Sequence, residues 1–208
     1  MPIAISVGPS GFDYLRQRLS RGNTLSRFAE RQVEPSWPAF ALLPQSVSIK
    51  RARQFGVGGV GHAALSWRCM GQVIDRLIAD DHVCILEDAL AVPSDPAIQN
   101  GRGTHIYHDT EVYHLVTGTP STGPISGQEA LRQAATSDLL HGFVVPAAST
   151  HGLRDAEAVT QGRLEQLAAF LELVFVGAYD GEGFICAGKP TSSVTQLLQE
   201  VVESEAPS

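Results

Sequence analysis

The sequence is short of several features that mark secreted, membrane-spanning and metal-binding proteins. It has only three cysteines among 208 residues, an odd number, and they lack the spacing of metal ligands. No apolar run approaches the roughly 20 residues that a helix needs to cross a bilayer. The first residues also lack the basic segment that opens a secretory signal. We therefore expect a soluble cytoplasmic protein without a transmembrane segment, with a peripheral position at the inner membrane as the alternative.

Basic side chains are scarce as well. The chain has 15 Lys and Arg against 22 Asp and Glu, which gives a formal net charge of −7. Because a general grip on nucleic acid needs clustered cations, we expect no nucleic-acid partner. The bases near the N-terminus form either a solvated helix face or a contact for phosphate or anionic lipid. These bases are Arg16, Arg18, Arg21, Arg27 and Arg31.

The hydropathy pattern alternates short apolar strands with amphipathic helices. Ile3–Val7, His82–Leu86 and Gly142–Pro146 are predicted strands, and apolar positions recur at helical spacing between His62 and Ala79. Because strands separated by helices of this length usually pair in parallel, we predict an α/β fold with a mostly parallel central sheet. The other expected elements are strands at Ala39–Leu43, Tyr107–Val116 and Leu171–Val176, and helices at 12–19, 126–140, 147–170 and 194–202.

A glycine-rich segment has the spacing of a dinucleotide-binding turn. Gly56-Val-Gly58-Gly-Val-Gly61 leads into a predicted helix, and Glu87 follows 26 residues after Gly61. In such sites the glycines admit a pyrophosphate to the helix N-terminus and the acid holds a ribose. The preceding Ser48–Phe55 is not an apolar strand, which the motif requires. The segment therefore favours an ordinary glycine-rich turn, with an NAD(P) site as the alternative.

Two adjacent carboxylates, Glu87 and Asp88, follow the buried strand Cys84-Ile-Leu. At the end of a strand, one acid can accept hydrogen bonds from a ribose while its neighbour binds a divalent cation. Acids also commonly mark the exit of a strand into solvent. The pair is therefore a candidate site with a plain structural alternative.

Two weaker patterns involve histidine and cysteine. Three of the seven histidines lie within residues 105–114, but they lack a fitting further ligand for zinc. A hydrolase could combine His62 with Cys69 or Cys186, although no local motif activates either thiol. Cys84, inside an apolar strand, is predicted to be a buried thiol.

The order of these segments resembles the lipopolysaccharide glycosyltransferase family 25. Gly59-Val-Gly61-His62 is similar to the start of that family's helix, and Cys84-Ile-Leu-Glu87-Asp88 is similar to its strand ending in Ile-Leu-Glu-Asp-Asp. The segments His108–Leu115 and Ala178-Tyr-Asp180 also follow the family order. Ala89 stands where the family has a third acid.

The resemblance implies a single GT-A-like domain over residues 1–203 with a frayed tail at 204–208. The implied activity is transfer of a hexose, with inversion, from a UDP-sugar to a glycan or glycolipid acceptor of the lipopolysaccharide type. A relative that has lost catalysis is also compatible with the resemblance. Mn²⁺ is the implied cofactor, and Ala89 puts it in doubt.

The resemblance also assigns roles to individual residues. Asp180 is the first choice for the base that takes the acceptor's proton, followed by Glu182 and Asp109. Glu87 would contact the ribose, and Asp88 would hold Mn²⁺ beside the leaving diphosphate. Further implied donor contacts are His62, Gly8 and Ser10.

Two other functions stay open. An NAD(P)-binding oxidoreductase would use the glycine motif and Glu87 and would need no metal. A non-catalytic scaffold or binding protein would keep the fold and bind no nucleotide.

Overall fold

The computed structural model describes residues 5–6, 9–42, 66–79, 81–88, 104–117, 140–178, 183–193, 196–197 and 200. Helices in these ranges pack against one open sheet, so the chain is α/β as expected. The helices are α1 (Pro9–Ser20), α2 (Thr24–Gln32), α3 (Ser66–Ala79) and α4 (Gln161–Ala169), with a 3-10 turn at Ala147–Thr150. The strands are β1 (Ile5–Ser6), β2 (Ala39–Leu42), β3 (His82–Asp88), β4 (Thr104–His108), β5 (Glu111–Val116), β6 (Leu140–Pro146), β7 (Glu157–Ala158), β8 (Leu173–Ala178) and β9 (Gly183–Gly188).

The prediction of a mostly parallel sheet is wrong. The strand order is β1-β2-β9-β8-β6-β3-β5-β4-β7, and the described strands pair antiparallel except for β4 with β7. The reason is the length of two connections. Only Asp109 and Thr110 separate β4 from β5, and only residues 179–182 separate β8 from β9. Such short links make hairpins, because a parallel crossover needs a dozen or more residues.

Several predicted elements are confirmed. The strand predicted at His82–Leu86 is β3, and the strand at Gly142–Pro146 is β6. Helical spacing before Ala79 corresponds to α3, and Cys84 is fully buried. The single strand region expected at Tyr107–Val116 is instead a hairpin of β4 and β5. The predicted helix at 126–140 and the glycine motif at 56–61 lie outside the described residues, apart from Leu140 at the start of β6.

The centre of the sheet is buried on both faces. Four consecutive residues of β3, which belong alternately to its two faces, are all at most 2% exposed: Val83, Cys84, Ile85 and Leu86. Helix α3 packs on β3, β9 and β2, while α1 packs on β8 and β9. A central strand of this kind presents no free face to a ligand, so a site must lie at one of its two ends.

Gly142 in β6 shows how tightly this core is packed. It lies opposite Phe175 of β8, and a Cβ atom at this position would overlap the Phe175 ring. The ring therefore occupies the space that a side chain would need. The residue before Gly142 in β6 is His141, which enters the site described next.

None of the described helices is long and apolar enough to span a bilayer.

Candidate functional site

The N-terminus of α2 is bound to side chains from the sheet. Its cap residue Asn23 is extended and makes no side-chain cap, so the first amides of the helix need other acceptors. The Asn23 amide donates to Glu87 Oε1 at 3.2 Å, and the Thr24 amide donates to Glu111 Oε1 at 2.9 Å. The Leu25 amide donates to the Tyr113 hydroxyl at 3.2 Å. Two carboxylates therefore lie at the positive end of the helix dipole, where an acceptor of negative charge is favourable.

Glu87 is at the centre of this arrangement. Its side chain is fully buried, and β3 and β6 place it directly opposite His141, which is 1% exposed. Glu87 Oε1 accepts the Ser26 hydroxyl proton in a short hydrogen bond and lies 3.1 Å from His141 Nδ1. His141 Nδ1 therefore faces the oxygen atoms of both Ser26 and Glu87. Glu87 Oε2 and His141 Nε2 are buried without a hydrogen-bond partner.

Ser26, His141 and Glu87 are the residue types of a hydrolytic triad, but their geometry differs. In a triad the serine and the acid lie at opposite nitrogens of the imidazole. Here Ser26 Oγ is 2.7 Å from His141 Nδ1, the same nitrogen that Glu87 approaches. All three side chains are also buried. The group is therefore arranged to fasten α2 to the sheet and not to activate the serine.

Glu111 and Tyr113 extend the network along β5. The Tyr113 hydroxyl donates to Glu111 Oε2 at 2.6 Å. Burial, together with the charges of Glu87 and Glu111, raises the pKa of Tyr113 far above its usual value near 10. Tyr113 is therefore a neutral phenol that donates to one acid and accepts from the helix. At the outer edge, Arg27 donates to the Thr24 hydroxyl at 2.9 Å and lies 3.9 Å from Glu111 Oε1.

Of the residues in this network, the sequence predicts only Glu87 as a candidate site residue. Glu111 and Tyr113 alternate along one strand, which would have placed them on the same face, and His141 stands beside a conspicuous strand glycine. No signal in the sequence links Ser26 to Glu87 or to His141, because these contacts join residues 61 and 115 positions apart.

The remaining predicted site residues are only partly described. Asp109 lies in the turn between β4 and β5 with a φ of 52° and an exposed side chain, 3.8 Å from His108 Nε2. Asp88 ends β3, where its backbone pairs with Leu140. Ser10 lies in the first turn of α1. The other predicted residues, Asp180, Glu182, His62 and Gly8, lie outside the described residues.

Strand direction places three described positions at one end of the sheet. These positions are the Asp109 turn, the end of β3, and the paired residues Ala178 and Gly183. They share one end because β3 runs antiparallel to β5 and to β6, and β8 runs antiparallel to β6 and to β9. The described acids Asp88, Asp109 and Glu111 therefore lie at this end, which we call the α2 end of the sheet.

The side chain of Asp88, to which the resemblance assigns Mn²⁺, lies outside the described residues. Within the described ranges, no three His, Cys, Asp or Glu side chains are grouped to hold a metal. The oxygen Oε1 of Glu87 already accepts hydrogen bonds from Asn23 and Ser26. We derive no chemical step from a metal at this site.

Histidines and thiols elsewhere have structural contacts. The His105 and His114 rings stack edge to face at 4.7 Å, whereas His108 Nδ1 contacts the Val159 carbonyl at 3.0 Å. Burial and His105 lower the pKa of His114 to about 4. Burial raises the pKa of the Cys186 thiol to about 12, so this cysteine is not an activated nucleophile.

The opposite end of the sheet carries an open cleft of about 540 Å³. It lies where β3 begins, beside the 3-10 turn, and two of its lining residues are joined by a hydrogen bond from the Ala147 amide to the Asp81 carbonyl at 2.8 Å. Apolar and polar side chains alternate around it. The lining residues are Ile78, Asp81, His82, Val83, Thr117, Ala147, Thr150, His151, Gly152 and Leu153.

Comparison with known proteins gives no assignment: no family model matches this chain, and no curated protein or solved structure does.

Proposed function

We propose that this chain is a non-catalytic binding protein and that its ligand binds in the cleft where β3 begins. The observation that carries the proposal is the use of Glu87. Both nucleotide hypotheses, the UDP-sugar and the NAD(P) site, need this carboxylate to accept hydrogen bonds from a ribose. In the fold it accepts them from Asn23 and Ser26 under α2.

Releasing Glu87 for a ribose would be costly. A buried donor that loses its acceptor costs about 1–3 kcal/mol, and here the Asn23 amide and the Ser26 hydroxyl would both be stranded. The ribose hydroxyls would also have to enter a space from which solvent is excluded, since Glu87 is 0% exposed. The carboxylate therefore serves the fold in preference to a ligand.

The cleft, unlike the buried Glu87, is open to solvent and has room for a ligand. Its volume lies within the range of roughly 300–1,000 Å³ that is usual for small-molecule sites. Ile78, Val83 and Leu153 supply apolar surface, and Thr117 and His151 supply polar groups. This combination suits a small ligand with an apolar body and a few polar groups.

A second candidate is the glycosyltransferase of the resemblance. The acids at the α2 end favour it, because one or two carboxylates can hold a divalent cation against a donor diphosphate. The α/β class that it implies is present, but the mostly parallel sheet is not, since the described strands pair mostly antiparallel. The two candidates predict opposite results with the same ligands.

The deciding experiment is calorimetric titration of the full chain with UDP, with and without Mn²⁺, with NAD⁺ as a further titrant. The binding-protein proposal predicts no saturable heat with any of them, and no hydrolysis of a UDP-sugar. UDP binding that strengthens with Mn²⁺ and disappears in Asp88→Ala would replace the proposal with the transferase. NAD⁺ binding alone would move attention to residues 56–61.

A second experiment tests the cleft directly with anilinonaphthalene sulfonate, an apolar dye with one anionic group. We expect saturable fluorescence enhancement that Ala147→Phe abolishes by filling the cleft. Ala148→Phe, an exposed neighbour in the same turn that does not line the cleft, is the matched control. Equal dye binding in both variants would contradict the assignment of the cleft.

A further inference from the structure

Phe170 exposes a large aromatic side chain at the end of α4. It is 53% exposed, and within the described ranges no other large hydrophobic residue is exposed. The helix ends at this point, since the Phe170 amide donates back to Leu167 at 3.1 Å. The turn therefore holds the ring outward on a fixed backbone. An aromatic ring presented this way is a common anchor in protein interfaces.

A hollow of about 210 Å³ lies beside this ring. Its walls come from both neighbours of Phe170 in the chain, Ala169 and Leu171, and from Trp37 and Pro190. For comparison, an apolar cavity of about 150 Å³ is enough to hold a benzene molecule. The hollow can therefore receive one aromatic side chain, and Phe170 itself does not line it.

The rim of the hollow carries one charge of each sign. Glu34 and Lys189 both line it and are both exposed. Glu34 accepts a hydrogen bond from Ser36 at 3.2 Å, and Lys189 forms no ion pair within the described part of the chain. A surface with both charges on its rim is complementary to itself when a two-fold axis brings each charge opposite the other.

We propose that this surface binds a second copy of the chain, with Phe170 of each copy in the hollow of the other. Each copy supplies one aromatic anchor and one receptor, which is the requirement for a closed two-fold contact. Lys189 of one copy then faces Glu34 of the other, and these exposed charges set orientation more than affinity. The proposal is independent of the cleft and of any nucleotide.

The test is sedimentation velocity on the full chain over a series of protein concentrations. Wild type should change from monomer to dimer as concentration rises. Phe170→Ser should raise the dissociation constant at least about tenfold, as expected for loss of an interface anchor. Because Phe170 is exposed, the variant should fold. Glu165→Ser, an exposed change on the same helix and away from the hollow, should leave the dissociation constant unchanged.

Charge-reversal variants show whether the dimer depends on the proposed pairing of Lys189 with Glu34 or only on exposed apolar surface. Lys189→Glu and Glu34→Lys should each weaken the dimer, because like charges then face each other, and the double variant should restore it. A wild-type chain that stays monomeric at every concentration would overturn the proposal and leave the hollow to a different partner. A dimer that is indifferent to Phe170→Ser, or no rescue in the double variant, would overturn it equally.

Discussion

The two ends of strand β3 have opposite properties. At the end near Asp88, the buried Glu87 and His141 and the half-buried Glu111 contact the first turn of α2. At the end near His82, a cleft of about 540 Å³ is open and carries no recognisable sequence motif. The comparison shows that carboxylates at the end of a strand are not by themselves a binding site. A helix terminus can use them to satisfy its own amides.

The largest expected effect follows from removing the central carboxylate. Glu87→Met keeps the side-chain length but removes the acceptor of the Asn23 amide and of the Ser26 hydroxyl, and the contact of His141 with a carboxylate. We expect a loss of about 3 kcal/mol or more in the free energy of unfolding, and a smaller loss for Glu87→Gln. Urea unfolding followed by circular dichroism measures it.

The matched control for this change is Asp109→Asn, which alters an exposed acid at the same end of the sheet. Because asparagine also tolerates a positive φ, its effect should stay within about 0.5 kcal/mol. If Glu87→Met were as mild as Asp109→Asn, the anchoring role of Glu87 would be wrong.

A second effect depends on pH and on His114. Its pKa falls from 6.5 in the unfolded chain to about 4 in the fold, so the unfolded state binds more protons between these values. Stability is therefore fully present above pH 6.5 and is lost as pH falls through this window, by on the order of 3 kcal/mol. Wild type and His114→Phe should be compared by urea unfolding at pH 7 and at pH 4.5. Parallel pH dependence in the two proteins would exclude this contribution.

Ser26→Ala should have a moderate effect. It removes one donor to Glu87 and leaves the Asn23 amide in place, so we expect a loss of about 1–2 kcal/mol. In a double-mutant cycle with Glu87→Gln, the two losses should not add, because both changes disrupt one contact. Strict additivity would show that Ser26 and Glu87 do not interact.

The smallest effect is expected at the exposed turn. Asp109 has a φ of 52°, a conformation that glycine adopts without strain. Asp109→Gly should therefore leave stability unchanged or raise it by up to about 0.5 kcal/mol, as read from the melting temperature. A clear loss would mean that the Asp109 side chain makes a contact that the turn geometry does not require.

The sequence predicted the individual elements better than their arrangement. Apolar periodicity predicts β3 and α3 correctly. A strand buried on both faces is a continuous apolar run, and a helix buried on one face has apolar residues at helical spacing, so each pattern lies within a single segment. Strand direction depends on how segments meet, and the short links at Asp109–Thr110 and 179–182 contradicted the parallel interpretation. The pattern of apolar and polar residues continues across Asp109 and Thr110, so the sequence predicts one strand region there and not a hairpin.

The candidate site could be predicted only as far as Glu87. Its role depends on an N-cap that makes no side-chain bond and on a histidine brought opposite by strand register. Neither property is local. The same motif of a strand ending in acids fits a ribose contact and a helix anchor equally well, and only the position of α2 separates them.

The most direct test of this account is amide hydrogen exchange at the start of α2, in wild type and in Glu87→Met. We predict that the Asn23 amide is protected in wild type and loses protection in the variant, because Glu87 is its acceptor. The Thr24 amide, which donates to Glu111, should keep most of its protection and serves as the internal reference. An Asn23 amide that exchanges equally fast in both proteins would contradict the claim that Glu87 fastens the helix to the sheet.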